Sequence, residues 1–188
     1  MTLQTELRNA PLPESMRALL ADYPRDSWNA HPNFRQATKN WLGAHRMFRT
    51  LAALIHRKTK AYLEGNLKPN KFAADLSYYG DALVQNLHGH HNWEDRVYFP
   101  ELARAEPRFK SGLETLEMDH LALNKLLDEF AREANRVVKL IQLDAAQARE
   151  EASTLPPICK KLEALLSRHL SDEEDLAVPI ILHHKLRG

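Results

Sequence analysis

The sequence has a single cysteine, Cys159, among 188 residues, so no internal disulfide framework can form and a reducing compartment is compatible. Glycine is scarce, at 6 residues, which leaves long stretches without a breaker. Neither sign of charge prevails. Lys plus Arg number 26, Asp plus Glu 25, and the formal net charge is +1. That balance removes the usual electrostatic case for a nucleic acid or a membrane surface as partner. No apolar run approaches the ~18 residues that a membrane span needs. The stretch MTLQTELRNAPLPESMRALL carries an early Glu6 and no long apolar core, so it does not read as a secretory leader, and a cytoplasmic location is expected. Hydrophobic residues at 44% and charged residues at 27% describe a globular chain able to bury one core.

What the sequence does have is histidine, 10 of them, several inside apolar periodic segments. The first 32 residues contain Pro11, Pro13, Pro24 and Pro32 and read as an irregular arm with one short helix near Glu14–Asp22. From about Asn33 to Glu64, Trp41, His45, Phe48, Ala52 and Ile55 recur at steps of four and three, one face of a helix. Gly65, Asn66 and Pro69 end it. A second helix is expected over about Asn70–Arg104, with Leu83, Leu87, His90, Glu94 and Val97 on its stripe and Pro100 kinking or shortening its end. A third, over about Arg108–Leu140, has the stripe Leu113, Leu116, His120, Leu123, Leu127 and Phe130. The fourth starts near Asp144, is expected to distort or split at Pro156–Pro157, and continues through Leu162, Leu166, His169, Glu173 and Leu176 to a last turn disturbed by Pro179. Period-two alternation is absent from all four segments. The expected fold is therefore all-α: an up-and-down antiparallel four-helix bundle over residues 33–182, preceded by the arm 1–32 and followed by a short tail 183–188.

Two of the helices repeat one pattern. His90 and Glu94 precede Pro100 as His169 and Glu173 precede Pro179, with the same spacings. Residues four apart share a helical face about 6 Å apart, so each His-x-x-x-Glu pair can reach one small cluster. The depths agree along an antiparallel bundle. His45 lies 22 residues before the turn near Leu67 and His90 lies 23 after it; Glu94 lies 12 before the turn at Glu106 and His120 lies 14 after it. Four imidazoles and two carboxylates brought into a core would cost on the order of 1–3 kcal/mol for each unsatisfied group, and more for a carboxylate. Cations remove that penalty. Nitrogen and oxygen donors without thiolate suit iron, manganese or zinc, and carboxylates that bridge favour two ions over one.

These motifs (AHRMF, HHNWEDRVYFPEL, EMDHLALNKLLDEF and RHLSDEEDLAVPIIL) resemble the hemerythrin-like, HHE cation-binding family over about Trp41–Ile180. The resemblance implies a four-helix bundle around a non-haem di-iron centre with an oxo or hydroxo bridge. The metal ligands it implies are His45, His90, Glu94, His120, His169 and Glu173, with the two glutamates bridging. Members bind or sense oxygen, handle nitric oxide or peroxide, or donate iron for repair. The oxygen carriers have a His-x-x-x-His pair on the third helix. Here Leu116 and Asn124 flank His120 instead, which leaves a coordination position for a small ligand or another side chain, with His91 the nearest.

The remaining groups have plainer readings. His88, His31, His183 and His184 are expected at the surface. His56, about 16 Å along the axis from His45, lies out of reach of the site. Trp93 and Asp95 read as packing and surface charge, Tyr98 and Phe99 as core, and Asp172–Asp175 as a solvated face on which Glu173 alone is in phase. Cys159 reads as inert. The competing functions are a ferritin-like oxidase, which wants two Glu-x-x-His motifs where only Glu117–His120 fits, and a helical interaction protein with a purely structural metal.

Overall fold

The structure is a computed structural model that describes Arg8 and residues 10–186. Among the described residues all regular structure is helical. Two 3₁₀ segments, Glu14–Ala21 and Arg25–Ala30, precede α1 (Gln36–Leu63) and α2 (Pro69–Trp93). A π-helical turn, Glu94–Tyr98, leads from α2 into α3 (Phe99–Ala105). After a 3₁₀ turn at Pro107–Phe109 come α4 (Lys110–Leu143), α5 (Ala145–Ala152) and α6 (Leu155–His184). No helix among the described residues is long and apolar enough to cross a membrane.

Turn chemistry sets most of the boundaries. Gly65 takes φ +82°, and Asn66 N–H reaches back to Ala61 C=O at 2.8 Å, closing α1 with a left-handed glycine cap. Asp144 caps α5, its carboxylate accepting from Ala146 and Gln147 N–H at 3.0 Å each. The expected split at the double proline occurs at Ser153–Thr154. Pro156 and Pro157 then occupy the first turn of α6, where a missing N–H is harmless.

Three expectations need correction. Pro179 does not disturb the last turn, because α6 continues through it to His184. Proline inside a helix costs about 3 kcal/mol. Ile180, Ile181 and Leu182 are each at most 1% exposed, and their burial contributes about 1.5–3 kcal/mol apiece, which outweighs it. Val97, expected on the inner stripe, is 50% exposed, and Tyr98 is buried in its place. The π turn is the cause: its wider winding advances the inward face by one residue after Glu94. The described part of the arm holds two 3₁₀ segments rather than one short helix, and its Leu12, Leu19 and Trp28 belong to the core.

The chain divides into two compact units. The first comprises the residues up to Arg46, His90–Ala122 and Ser167 onward. Its core is continuous from the arm (Leu12, Leu19, Trp28) through Trp41, Tyr98, Phe99, Leu113 and Leu116 to Leu176–Leu182. The second comprises Met47–Gly89 and Leu123–Leu166. It contains the stacked Tyr62–Phe72 pair, with centroids 4.4 Å apart, and Lys58 and Lys71 paired on Asp75. His56 pairs with Glu163 at 2.9 Å in this second unit. Cys159 is buried there too, and burial above all pushes its thiol up to about 12, which keeps it unreactive.

Candidate metal centre

All six sequence-predicted site residues fall in the first unit and converge. The carboxy-terminal part of α2 carries His90 and His91, the π turn carries Glu94, α4 carries His120, and α6 carries His169 and Glu173. His45 comes from α1. Two groups of donor atoms form. His45, His90, Glu94 and Glu173 make one, and His91, His120 and His169 make the other.

In the first group His45 Nε2 and His90 Nε2 lie 3.0 Å apart, with Glu94 Oε1 at 3.0 Å from His90 Nε2. Glu173 Oε2 is 3.6 Å from His45 Nε2. In the second, the rings of His91 and His120 stack with centroids 4.0 Å apart, and His169 meets His120 edge-on at 4.8 Å. The carboxylates face both groups. Glu94 turns Oε1 to His90 and Oε2 to His120 Nε2 at 3.7 Å. Glu173 turns Oε2 to His45 and Oε1 to His120 and His169, at 3.4 and 3.5 Å.

The inward nitrogens of His45 and His120 are set by partners on the other side of their rings. Glu174 Oε1 accepts from His45 Nδ1 at 3.1 Å, and Asp95 Oδ1 from His120 Nδ1 at 2.6 Å. Asp119 Oδ2 stands 3.5 Å from His169 Nδ1, close enough for charge attraction but not a hydrogen bond. A proton held at Nδ1 leaves Nε2 as a lone-pair donor aimed inward. Trp41 Nε1–H donates to Glu94 Oε1 at 2.7 Å and holds that carboxylate in place.

The donor set fits cations. His45, Glu94, His120, His169 and Glu173 are fully buried. Among the described residues Glu94 Oε2, Glu173 Oε2 and His169 Nε2 have no hydrogen-bond partner. Such atoms cost about 1–3 kcal/mol each unless something binds them. Their 3.4–3.7 Å spacings are too long for good hydrogen bonds and leave space for an ion between them. Without metal, protons take that role. Burial lowers the His45 imidazole, but its hydrogen bond to Glu174 and the nearby carboxylates of Glu94 and Glu173 outweigh it and raise the pKa to about 9. Burial likewise opposes His120, and Asp95 and Glu173 raise it to about 10. Burial would raise the Glu94 carboxyl, yet His45 and His90 hold it well below the usual range.

Sequence reasoning left His91 as an open candidate; it is 1% exposed and packed inside the three-imidazole group. It took Asp95 for surface charge and Asp172–Asp175 for a solvated face. Both readings are corrected here. Asp95 orients His120, and all four acidic residues of the run Asp172–Asp175 are buried, at most 8% exposed. The available signal was the arginine content of the arm, since Arg8, Arg17 and Arg25 pair with this run. His88 and His31 are half-buried rather than at the surface. His183 is exposed, while His184 is half-buried and reaches Glu106 at 3.2 Å. Glu106, His183 and His184 form a third donor group, but Arg108 already engages both Glu106 oxygens, at 2.8 and 2.9 Å.

Comparison with curated proteins and with solved structures gives no significant match. The model of the hemerythrin HHE cation binding domain does match, over residues 36–181, a span that takes in every residue of both donor groups, and the chain belongs to that family.

Proposed function

We propose that this chain is a cytoplasmic non-haem di-iron protein, an up-and-down four-helix bundle whose metal pair binds, senses or reacts with a small oxidant or gas such as oxygen, nitric oxide or peroxide. In this reading one ion is held by His45 and His90, the other by His91, His120 and His169, and Glu94 and Glu173 bridge them. The observation that carries it is the split of each glutamate, one oxygen toward each histidine group. Five imidazoles and two carboxylates supply fewer donor atoms than two octahedral ions need, even with one bridging oxygen shared, so a small ligand has a place to bind. When bound, the iron pair supplies electrons and a site of attachment for that ligand. The chain supplies the rest. Glu174 and Asp95 fix the tautomers of His45 and His120, and Trp41 fixes Glu94. Phe99, stacked on His120 at 5.5 Å, and Leu116, fully buried, keep bulk water out. Tyr98, packed on Trp41, is kept protonated by burial and by the charge of Glu94.

The test is expression in iron-rich medium followed by metal analysis and optical titration. About two iron ions per chain and an oxo-bridge charge-transfer band that responds to azide, nitric oxide or peroxide are expected. Protein that takes up no metal and loses no stability without it ends the proposal. A metal spectrum indifferent to all three ligands supports a purely structural site instead.

A further inference from the structure

The acidic run of α6 and the arginines of the arm form one system. Arg25 Nη1 donates to Glu174 Oε2 at 2.7 Å, and Arg25 Nε to Asp175 Oδ1 at 2.7 Å. Its remaining Nη2 reaches Ser171 C=O at 3.0 Å, and its guanidinium lies over Trp28. The second oxygen of Glu174 is the one that accepts from His45 Nδ1 at 3.1 Å. On the neighbouring face Arg8 and Arg168 donate to Asp119 Oδ2, at 2.6 and 2.8 Å, and the same oxygen stands 3.5 Å from His169 Nδ1. Arg8 also binds Asp172, whose other oxygen accepts from Leu12 N–H at 3.0 Å. The arm is fixed to the core through Leu12, Leu19 and Trp28, each at most 6% exposed.

We propose that Arg25 of the arm is a positioning residue of the metal centre, acting on His45 through Glu174. This rests on the reading of His45 as a ligand. Arg25 precedes the residues 36–181 that match the family model, so the device belongs to this chain's own arm. The physical argument is geometric. A carboxylate with one oxygen pinned by a guanidinium fork presents the other in a single direction. Glu174 so pinned accepts from Nδ1–H and keeps Nε2 of His45 aimed at its cation. Arg25→Leu takes from Glu174, a mostly buried carboxylate at 6% exposure, the guanidinium N–H on Oε2 that helps set how its other oxygen meets the imidazole. Partners of this kind typically change metal affinity 10–100-fold.

The full chain is loaded with cobalt(II), whose visible bands report ligand geometry, and its affinity is measured by competition with a chelator. Arg25→Leu is expected to weaken cobalt binding by about tenfold or more and to shift the bands, with Arg25→Lys recovering part of both. Arg132→Ala, at an exposed position in the second unit, is the control and should change neither. Glu174→Gln is expected to weaken binding comparably, and Arg25→Leu added to it should do little more, because the two act in series. If Arg25→Leu does not fold, Glu174→Gln and Arg25→Lys carry the test, and unchanged affinity and bands in both overturn the proposal. So does an Arg25→Leu protein that folds and binds cobalt as the wild type does, or effects of Arg25→Leu and Glu174→Gln that simply add. Wild-type chain that binds no cobalt and no iron sinks the metal-centre reading itself, a result separate from any of these.

Discussion

Asp95 Oδ1 lies 2.6 Å from His120 Nδ1, although Asp95 stands on the π turn after α2 and His120 on α4. The aspartate side chain is 38% exposed while the imidazole is fully buried. A partly hydrated carboxylate therefore reaches inward to fix a buried ring. Asp95→Ala removes the acceptor for Nδ1–H and frees the ring to change tautomer. Metal affinity is expected to fall by roughly tenfold or more, about 1.4 kcal/mol per decade. Asp95→Asn keeps an acceptor oxygen without the charge and should fall less. Chelator competition checks both, and an alanine variant with wild-type affinity would remove Asp95 from any role at the centre.

Protons and cations compete for the same imidazoles. In metal-free protein His45, near 9, and His120, near 10, are both charged at neutral pH. Metal binding at pH 7 should release about two protons per chain, and apparent affinity should rise with pH until about 9–10. For stability the sign runs the other way. A histidine whose folded pKa exceeds its unfolded value stabilises fully below about 6.5 and loses that contribution as pH passes the folded pKa. Metal-free protein should thus melt at progressively lower temperature between about pH 7 and 10, while loaded protein should not show that decline. Melting curves across this range, with and without metal, and pH-stat titration of metal uptake test both statements.

Much of this centre was legible because its residues obey helix periodicity. His45 shares a buried stripe with Trp41, Phe48, Ala52 and Ile55, and His120 shares one with Leu113, Leu116, Leu123, Leu127 and Phe130, as expected from steps of three and four. The His-x-x-x-Glu spacing of His169 and Glu173 likewise lies within one α-helix. What was not legible lies off the α-helical period or far away in sequence. Val97 left the inner stripe, while Tyr98 stayed in the core as expected, because a π turn carries more residues per turn than a periodicity count assumes. Asp172, Glu174 and Asp175 read as solvated because arginines that neutralise them sit about 150 residues earlier, in a segment whose prolines read as an irregular arm. No local pattern shows a pairing over that separation.

His91 is the most direct probe of which group holds which ion. It stacks on His120 and meets His169 edge-on at 5.7 Å, whereas His90 Nε2 faces His45. His91→Ala should empty or weaken the three-imidazole side first, lowering the metal content of purified protein from two ions toward one. His90→Ala should act on the other side. The bridging glutamates belong to both, so Glu173→Gln should lower both occupancies together. Metal analysis of the three variants decides the matter, and full double occupancy in His91→Ala would place His91 outside the ligand set.

Pro100 lies two residues after the π turn, which accommodates it, although Pro179 at the same spacing after Glu173 is accommodated in α6 without one. A proline offers no N–H to the carbonyl four residues back, here Arg96, and its ring collides with that carbonyl in a regular α-helix. Phe99 N–H instead bonds to Glu94 C=O, five residues back, and the widened turn accommodates the ring. The same widening brings Tyr98 inward and carries Asp95 within reach of His120. Pro100→Ala restores the missing donor and lets the segment relax toward an α-helix, which shifts everything after Glu94 by one position. Removing a helix-internal proline is not expected to destabilise the metal-free chain, so its melting temperature should be unchanged or higher. Metal affinity should nevertheless fall, by an amount comparable to Asp95→Ala, because Asp95 would turn away from His120. If Pro100→Ala binds metal as tightly as wild type, either the π turn persists without the proline or the Asp95–His120 contact survives without the turn. Amide and imidazole NMR shifts of the variant would show which.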